Sequence, residues 1–531
     1  MVLGTSSHVG KSLLTAALCR IFAQQGYRVA PFKSQNMSLN SAATVEGLEI
    51  GRAQALQAEA AGIAASVHMN PILIKPSGDN SSQVVVCGKI WGRVTATDYH
   101  LRRVEELLPV VRESYEALAS KYDVIILEGA GSPAEINLKR HDIANMRMAE
   151  MANARCLLVG DIDRGGVFAS LLGTLELLDP EERERIRGFA INKFRGDTSL
   201  LEPGIGMIEE RMRKPCIGVV PYLRSLMLEE EDSLGLPATT QSQWGLDTLS
   251  DRASDRPLRV AVIALPSFSN FTDFDSLRAE PSVSVLFCKT AEAIAQADVV
   301  ILPGSKQTVD DLLWMRYQSL DVAVQQYART GLVVGICGGM QMLGEEIADP
   351  LGMERCGLAA GLGLLPIQTM MQADKVSRNV TGNLAARTLF GQPVADGRVS
   401  GYEIHIGRTI YQAGAAPFAV LSPDVRSSNG HNDGCMSADT RFFGTYLHGL
   451  FDDDSFRHQF LRAARAFRKL AAPADLHLWK QLREESLNRL AREVEKALDM
   501  KTIFGWVGLP YKDITSMEET LPRSQRVGAS R

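Results

Sequence analysis

Short, almost wholly apolar runs alternate with segments of helical period, and they do so twice along the 531 residues. The first series holds Val29–Phe32, Val124–Leu127, Cys156–Val159, Phe189–Ile191 and Ile217–Val220, with amphipathic stretches such as Ser12–Gln25 and Val104–Ala119 between them. The second holds Leu258–Leu265, Val283–Phe287, Val299–Leu302 and Leu332–Ile336. Strands covered on both faces read as continuous apolar runs, and a helix between two of them is the crossover that parallel neighbours require. The pattern predicts an α/β protein with two parallel-sheet domains, residues 1–234 and 258–470. Residues 235–257, rich in Pro, Thr, Ser, Gln and Asp and without apolar period, read as a linker. Residues 471–498 form a helix with Leu478, Leu482, Leu487, Leu490 and Val494 near one face. The aperiodic tail, 499–531, is expected to be poorly ordered or peripheral.

Composition matters mainly for what it excludes. The net charge is 57 − 62 = −5, with neither a basic stripe nor a Lys/Arg-rich tail, so no nucleic-acid or anionic-membrane partner is expected. No apolar run approaches the ~20 residues that span a bilayer, and no signal peptide is evident. The eight cysteines contain no CxxC pair, which argues against a zinc site and for a reducing, cytoplasmic setting.

Two junctions carry chemistry. The segment Gly4-Thr5-Ser6-Ser7-His8-Val9-Gly10-Lys11-Ser12 follows a short apolar start and opens an amphipathic helix. A loop entering a helix presents unpaired N–H groups and a positive dipole end to phosphate oxygens. Lys11 would reach the β/γ-phosphates of ATP and the Ser12 hydroxyl would ligate Mg²⁺. Other candidates sit at strand ends, where ligands of open parallel sheets gather. These are Glu128 for the metal or as a helix cap, Lys33 for phosphate or as a solvated lysine, and Asn192 for the adenine edge or as a turn residue. Asp161, Asp163 and Arg164 are candidates for metal or acyl-phosphate contact, or for a hydrogen-bonded turn.

The second junction is Gly335-Ile336-Cys337-Gly338-Gly339, at the end of an apolar strand. Small neighbours permit the sharp turn of a nucleophile elbow, which lifts a thiol above the sheet beside the next helix. A nucleophilic thiol needs a base. His448 is the first candidate and His405 the competitor. Gly338 and Gly304, the latter in the strand-end loop Pro303-Gly304-Ser305, are candidate oxyanion residues.

The first loop has five rather than four residues between its outer glycines, and in this it resembles the dethiobiotin synthetase-like branch of P-loop proteins. The elbow, late histidine and Pro-Gly loop resemble class I glutamine amidotransferases. Many of those carry a glutamate two residues after the histidine, where this chain has Leu450. The resemblance therefore implies a Cys–His dyad with an unknown orienting group.

Longer stretches narrow it: 31–37, 49–55, Glu128–Asn137, Asp161–Ser170 and Ser269–Asp275 resemble the cobyric acid members of the cobyrinic/cobyric acid synthase group, over roughly residues 1–465. That resemblance implies ATP- and glutamine-dependent amidation of the b, d, e and g carboxylates of adenosylcobyrinic acid a,c-diamide, with Mg²⁺ and without a prosthetic group. Two alternatives remain at this stage. One is cobyrinic acid a,c-diamide synthase or another polycarboxylate amidase; the other is a regulatory P-loop ATPase with an inactive glutaminase-like domain. Oligomeric state is not legible. Ammonia must travel unprotonated between two such sites, so a water-poor passage or closed interface is expected.

Overall fold

The computed structural model describes residues 1–77, 81–99, 104–224, 226–228, 256–422, 430–473 and 475–512. Most of the predicted linker (235–255) and the tail from 513 lie outside the described residues.

In the N-terminal part, a two-stranded and a four-stranded parallel ladder meet at Val2 and Glu128. The resulting order is Val29–Phe32, Val124–Leu127, Val2–Gly4, Cys156–Asp161, Ile186–Phe194, Cys216–Pro221. The first strand has only three residues, yet Val2 and Leu3 are buried between neighbours on both sides. The helix Lys11–Gln24 leaves its C-terminal end and turns Leu14, Ala17, Leu18, Ile21 and Phe22 into the core. A separate side sheet is formed by Gln35–Met37, Ile72–Pro76, Ser81–Val86 and Lys89–Thr95.

The C-terminal part has a sheet in the order Val283–Cys288, Leu258–Ile263, Val299–Leu302, Leu332–Ile336, Phe442–Thr445, Cys435–Met436. Its first five strands are parallel and the last is antiparallel. A mixed sheet, built on the long hairpin Ile367–Leu384 and Arg398–Tyr411, lies beside it. After Phe442–Thr445 the chain changes sheets, and Leu447–His448 pairs antiparallel with Tyr402 and Glu403. That switch delivers His448 to the carboxyl ends of the parallel strands.

Two expectations about the C-terminus need correction. Leu478 is not on the buried face: it is 53% exposed at the N-cap of the helix Trp479–Ala497, and Trp479 fills the buried place. The tail from Asp499 is not peripheral up to residue 512. Met500–Trp506 is a helix whose Met500, Ile503 and Phe504 are buried, and Phe504 stacks on Phe22 with centroids 4.0 Å apart. Tyr27 donates to Pro510 O (2.7 Å), and Gln25 hydrogen-bonds the Lys512 backbone on both sides. Seven residues hold one i, i+3, i+4 set, too little for a period to emerge. Both C-terminal helices pack on the N-terminal part, with Arg20 on Glu484 at 2.7 Å.

Candidate active site

Cys337 ends the strand Leu332–Ile336 in a strained backbone conformation, φ 50° and ψ −110°, as N-cap of the helix Gly338–Leu343. Such strain in a non-glycine residue persists only where the surroundings enforce it. They do so here: the Cys337 N–H donates to Thr445 O at 2.7 Å. A Cβ on Gly339 would lie 2.0 Å from Leu302 O, so only glycine lets the turn pass so close to the neighbouring strand. The thiol is 8% exposed and faces a cavity of about 60 Å³ lined also by His448, Ser305, Gln341, His405 and, from the N-terminal part, Lys75 and Gln83.

The base has the orienting group that the sequence left unassigned. Asp273 Oδ2 lies 2.7 Å from His448 Nδ1, and Asp273 Oδ1 accepts the Gly449 N–H at 2.9 Å. Asn270 Nδ2 approaches the same ring nitrogen at 3.3 Å. Burial opposes a charged imidazole, but Asp273, helped by the Cys337 side chain, outweighs it and pushes His448 up to about 10. The arrangement favours a protonated, cationic His448 held by Asp273, in the same cavity as the Cys337 side chain. Asp273 lies in the short helical turn Phe271–Phe274, where Asn270 and Asp273 are buried between buried phenylalanines. Two buried polar residues in an aromatic run are the signal that could have marked it. Leu450 is buried, so its position carries no substitute acid.

His405 also lines the cavity, but its ring stacks on Tyr446 at 3.7 Å and its Nδ1 meets Gly407 O at 2.8 Å. Of the candidate oxyanion residues, Gly304 lies against His448: a Cβ there would sit 3.1 Å from the ring Cε1. A Cβ on Gly338 would sit 2.9 Å from Ser305 N, so the two loops nearly touch. Asp311 fixes that second loop, accepting from Ser305 Oγ at 2.6 Å and from Ser267 N–H at 3.1 Å. Burial raises its pKa to about 6.

At the N-terminal junction the candidates converge on Glu128. Its Oε1 accepts from Ser12 Oγ (2.8 Å) and Lys33 Nζ (2.9 Å), and its Oε2 accepts from Gln57 Nε2 (2.5 Å). Lys33 and Glu128 are buried, so Lys33 is an ion-pair partner here rather than a solvated lysine. Lys11 Nζ bridges Ser6 O and Gly131 O, each at 3.0 Å, and so ties the loop Gly4–Ser12 to the segment that follows Glu128. Gly4 ends the first strand, the Thr5 N–H is spent on Val159 O, and Ser6 and Ser7 are exposed.

Asn192 sits beside Gly10, donating to Val9 O at 2.7 Å, a contact that braces the loop. Asp161 pairs with Lys193 (2.9 Å), whose Nζ also donates to His8 O, and Asp163 pairs with Arg195 (3.0 Å). Arg164 lies 4.0 Å from Asp161. Among the described residues no group of three or more His, Cys, Asp or Glu side chains could cage a metal ion. The hydroxyl and carboxylate of Ser12 and Glu128 fit Mg²⁺, which commonly takes one or two protein oxygens together with water and phosphate.

The two junctions belong to one packed body. Buried Glu49 pairs with both Lys75 and, across the boundary, Lys375. Burial lowers Lys375 to about 8, opposed chiefly by Glu49. Asn379 donates to Thr44 O at 3.0 Å beside this cluster.

The comparisons agree with both halves. A family described as the CobQ/CobB/MinD/ParA nucleotide binding domain matches residues 1–234, and the CobB/CobQ-like glutamine amidotransferase domain matches residues 259–456. A cobyric acid synthase from Moorella thermoacetica is 47% identical over 96% of this chain and 97% of its own length. Those from Pelotomaculum thermopropionicum and Clostridium botulinum are 45% and 43% identical, again over 96% of this chain, and 96% and 99% of their own lengths. With identity at this level running through both halves, the chain belongs to the cobyric acid synthase family.

Proposed function

We propose that this protein amidates the b, d, e and g carboxylates of adenosylcobyrinic acid a,c-diamide, using ATP and glutamine. The observation that carries the reading is the buried Cys337–His448–Asp273 array, packed in one body with the Gly4–Ser12 loop. The corrinoid substrate comes from the relatives' name and the family resemblance.

Cys337, as thiolate, attacks the glutamine side-chain carbonyl. Amides of Gly338 and of the Gly304 loop receive the developing oxyanion, and imidazolium His448 gives its proton to departing ammonia. Water, deprotonated by the now neutral His448, hydrolyses the resulting thioester. Asp273 holds the ring in the right orientation throughout, as the acid of a triad does.

At the other junction a substrate carboxylate oxygen attacks the γ-phosphorus of ATP and ADP leaves. The acyl phosphate formed is then attacked by ammonia, and phosphate is expelled. Lys11, Lys33 and the loop amides offset charge on the transferred group. Mg²⁺ held by Ser12 and Glu128 would supply further charge compensation there. A triphosphate would compete for Lys11, which donates to Ser6 O and Gly131 O, and for Ser12, which donates to Glu128. Soluble ammonia is protonated at neutral pH, so the reaction calls for delivery that avoids bulk water, and the elbow cavity is lined in part by Lys75 and Gln83 of the N-terminal part.

The test is incubation with the diamide corrinoid, Mg-ATP and glutamine, followed by mass spectrometry. The expected result is one loss of about one mass unit for each carboxylate, hydroxyl giving way to amino group. An unchanged corrinoid, with ATP turned over in response to a protein or DNA partner, would refute the proposal.

A further inference from the structure

The N-terminal part touches the loop that aims the base at one buried point. Asn40 Oδ1 accepts the Phe271 N–H at 3.2 Å, and the Ser41 N–H donates to Asn270 Oδ1 at 3.0 Å. Asn270 is the residue whose Nδ2 lies 3.3 Å from His448, and its carbonyl accepts the Asp273 N–H at 3.0 Å. From its own half the loop is held by Ser269 N–H on Gly304 O and by Gly449 N–H on Asp273.

Asn40 is fully buried, and its backbone is fixed within the N-terminal part. Its N–H donates to Ser38 Oγ (3.0 Å), and its carbonyl accepts the Arg52 N–H (3.1 Å). Its side chain is a different matter. The Nδ2 is buried without a partner, so the bond to Phe271 is what the amide does. A buried amide with an unmet donor costs stability, and such a group calls for a reason. The reason on view is the cross-boundary bond. The next residue is also engaged, for Ser41 Oγ accepts from Lys75 Nζ at 2.9 Å, and Lys75 lines the Cys337 cavity. A few residues earlier on the same segment, Lys33 is bonded to Glu128 at the phosphate junction.

We infer that Asn40 is a positioning residue for the glutaminase base: from the ATP-binding half it sets the Asn270–Asp273 loop and, through it, His448. The inference rests on the proposed amidation. It predicts that the base is correctly aimed only when the two halves are docked.

Full-length Asn40→Ala and Asn40→Asp are compared with the parent enzyme, with product formation driven by glutamine or by added ammonium. Asn40→Ala leaves the Phe271 N–H unpaired. The glutamine-driven kcat is expected to fall roughly tenfold to a hundredfold, as for a small misplacement of a catalytic group. KM for glutamine and the ammonium-driven rate stay within about twofold, the size of an ordinary surface effect. Asn40→Asp keeps the acceptor and recovers most of the loss. Equal losses with both nitrogen donors, or no loss with glutamine, overturn the inference. If Asn40→Ala does not fold, Asn40→Ser, too short to reach Phe271, gives the same reading. Cys337→Ala is run alongside. If that variant keeps glutamine use, the amidation chemistry itself is misassigned; if it loses it while Asn40→Ala does not, only the role of Asn40 fails.

Discussion

The two junctions solve the problem of holding charge in opposite ways. At the phosphate loop every charge has a partner: Lys33, with the neutral donors Ser12 and Gln57, converges on Glu128, and Lys11 is bound to Ser6 O of its own loop and to Gly131 O of another. That site holds its charges in a closed set of pairs within and beside the loop. At the elbow, nucleophile, base and orienting acid are all buried, and the acid already lies 2.7 Å from the base. That site carries its own charge separation before substrate arrives, which is the economy of a preorganised active site. A loop entering a helix can be written in one short motif. A prebuilt triad needs parts from distant segments held rigidly together.

The largest expected effect separates the halves outright. Cys337→Ala should lower glutamine-driven synthesis by at least roughly 10³-fold, the scale of losing a covalent nucleophile, while ammonium-driven synthesis persists. Lys11→Ala should lower both by roughly 10²–10³-fold, the scale of losing a charge-stabilising donor. If Cys337→Ala, still folded, lost both, the contrast between the two sites would be wrong.

Asp273→Asn should cut the glutamine-driven kcat by roughly 10²-fold or more, since the ring loses its orienting anion. It also has a pH signature. His448 is raised to about 10, where Asp273 outweighs the opposing effect of burial. A raised group contributes stability that is fully present below its unfolded pKa of about 6.5 and disappears as pH climbs through its folded value. The melting-temperature deficit of Asp273→Asn should therefore be greatest below about pH 6.5 and close by about pH 10. A deficit independent of pH would detach Asp273 from the charge on His448.

Phe504→Ala addresses the C-terminal helices rather than chemistry. Phe504 is fully buried and stacked on Phe22, which lies in the helix that the phosphate loop opens. Its removal should cost about 3–5 kcal/mol of stability, as large core truncations do. Thermal unfolding with and without ATP measures it, and an unchanged melting temperature would mean the segment is not docked. The smallest effect belongs to Cys356→Ser. That thiol is exposed, unlike Cys337, and the change should stay within about 0.5 kcal/mol and leave both rates intact.

Much of the architecture was legible because its signals are local. The strands Val124–Leu127, Val299–Leu302 and Leu332–Ile336 appear where continuous apolar runs put them. The elbow shows itself through glycines whose absence of a Cβ is visible in the letters. The long hairpin Ile367–Leu384 with Arg398–Tyr411 was not legible, for it is amphipathic only in part and mixes buried with half-exposed residues. The sequence leaves Asn192 open between the adenine edge and a turn, and in the fold its side-chain amide donates to Val9 O of the Gly4–Ser12 loop. Which neighbour takes an amide depends on the strand next door.

By itself the sequence determined two parallel α/β units, a phosphate loop opening a helix, and a cysteine on a sharp strand-to-helix turn, because each is a contiguous string with its own physical signature. Only the tertiary structure decided that Asp273, 175 residues from His448, is its orienting acid, and that Lys75 and Asn40 reach the other half's site. It also decided that the last helices fold back onto Phe22. Those are contacts between separate chain segments, fixed by how buried charges and apolar faces find partners in three dimensions, and no single stretch of the chain encodes them.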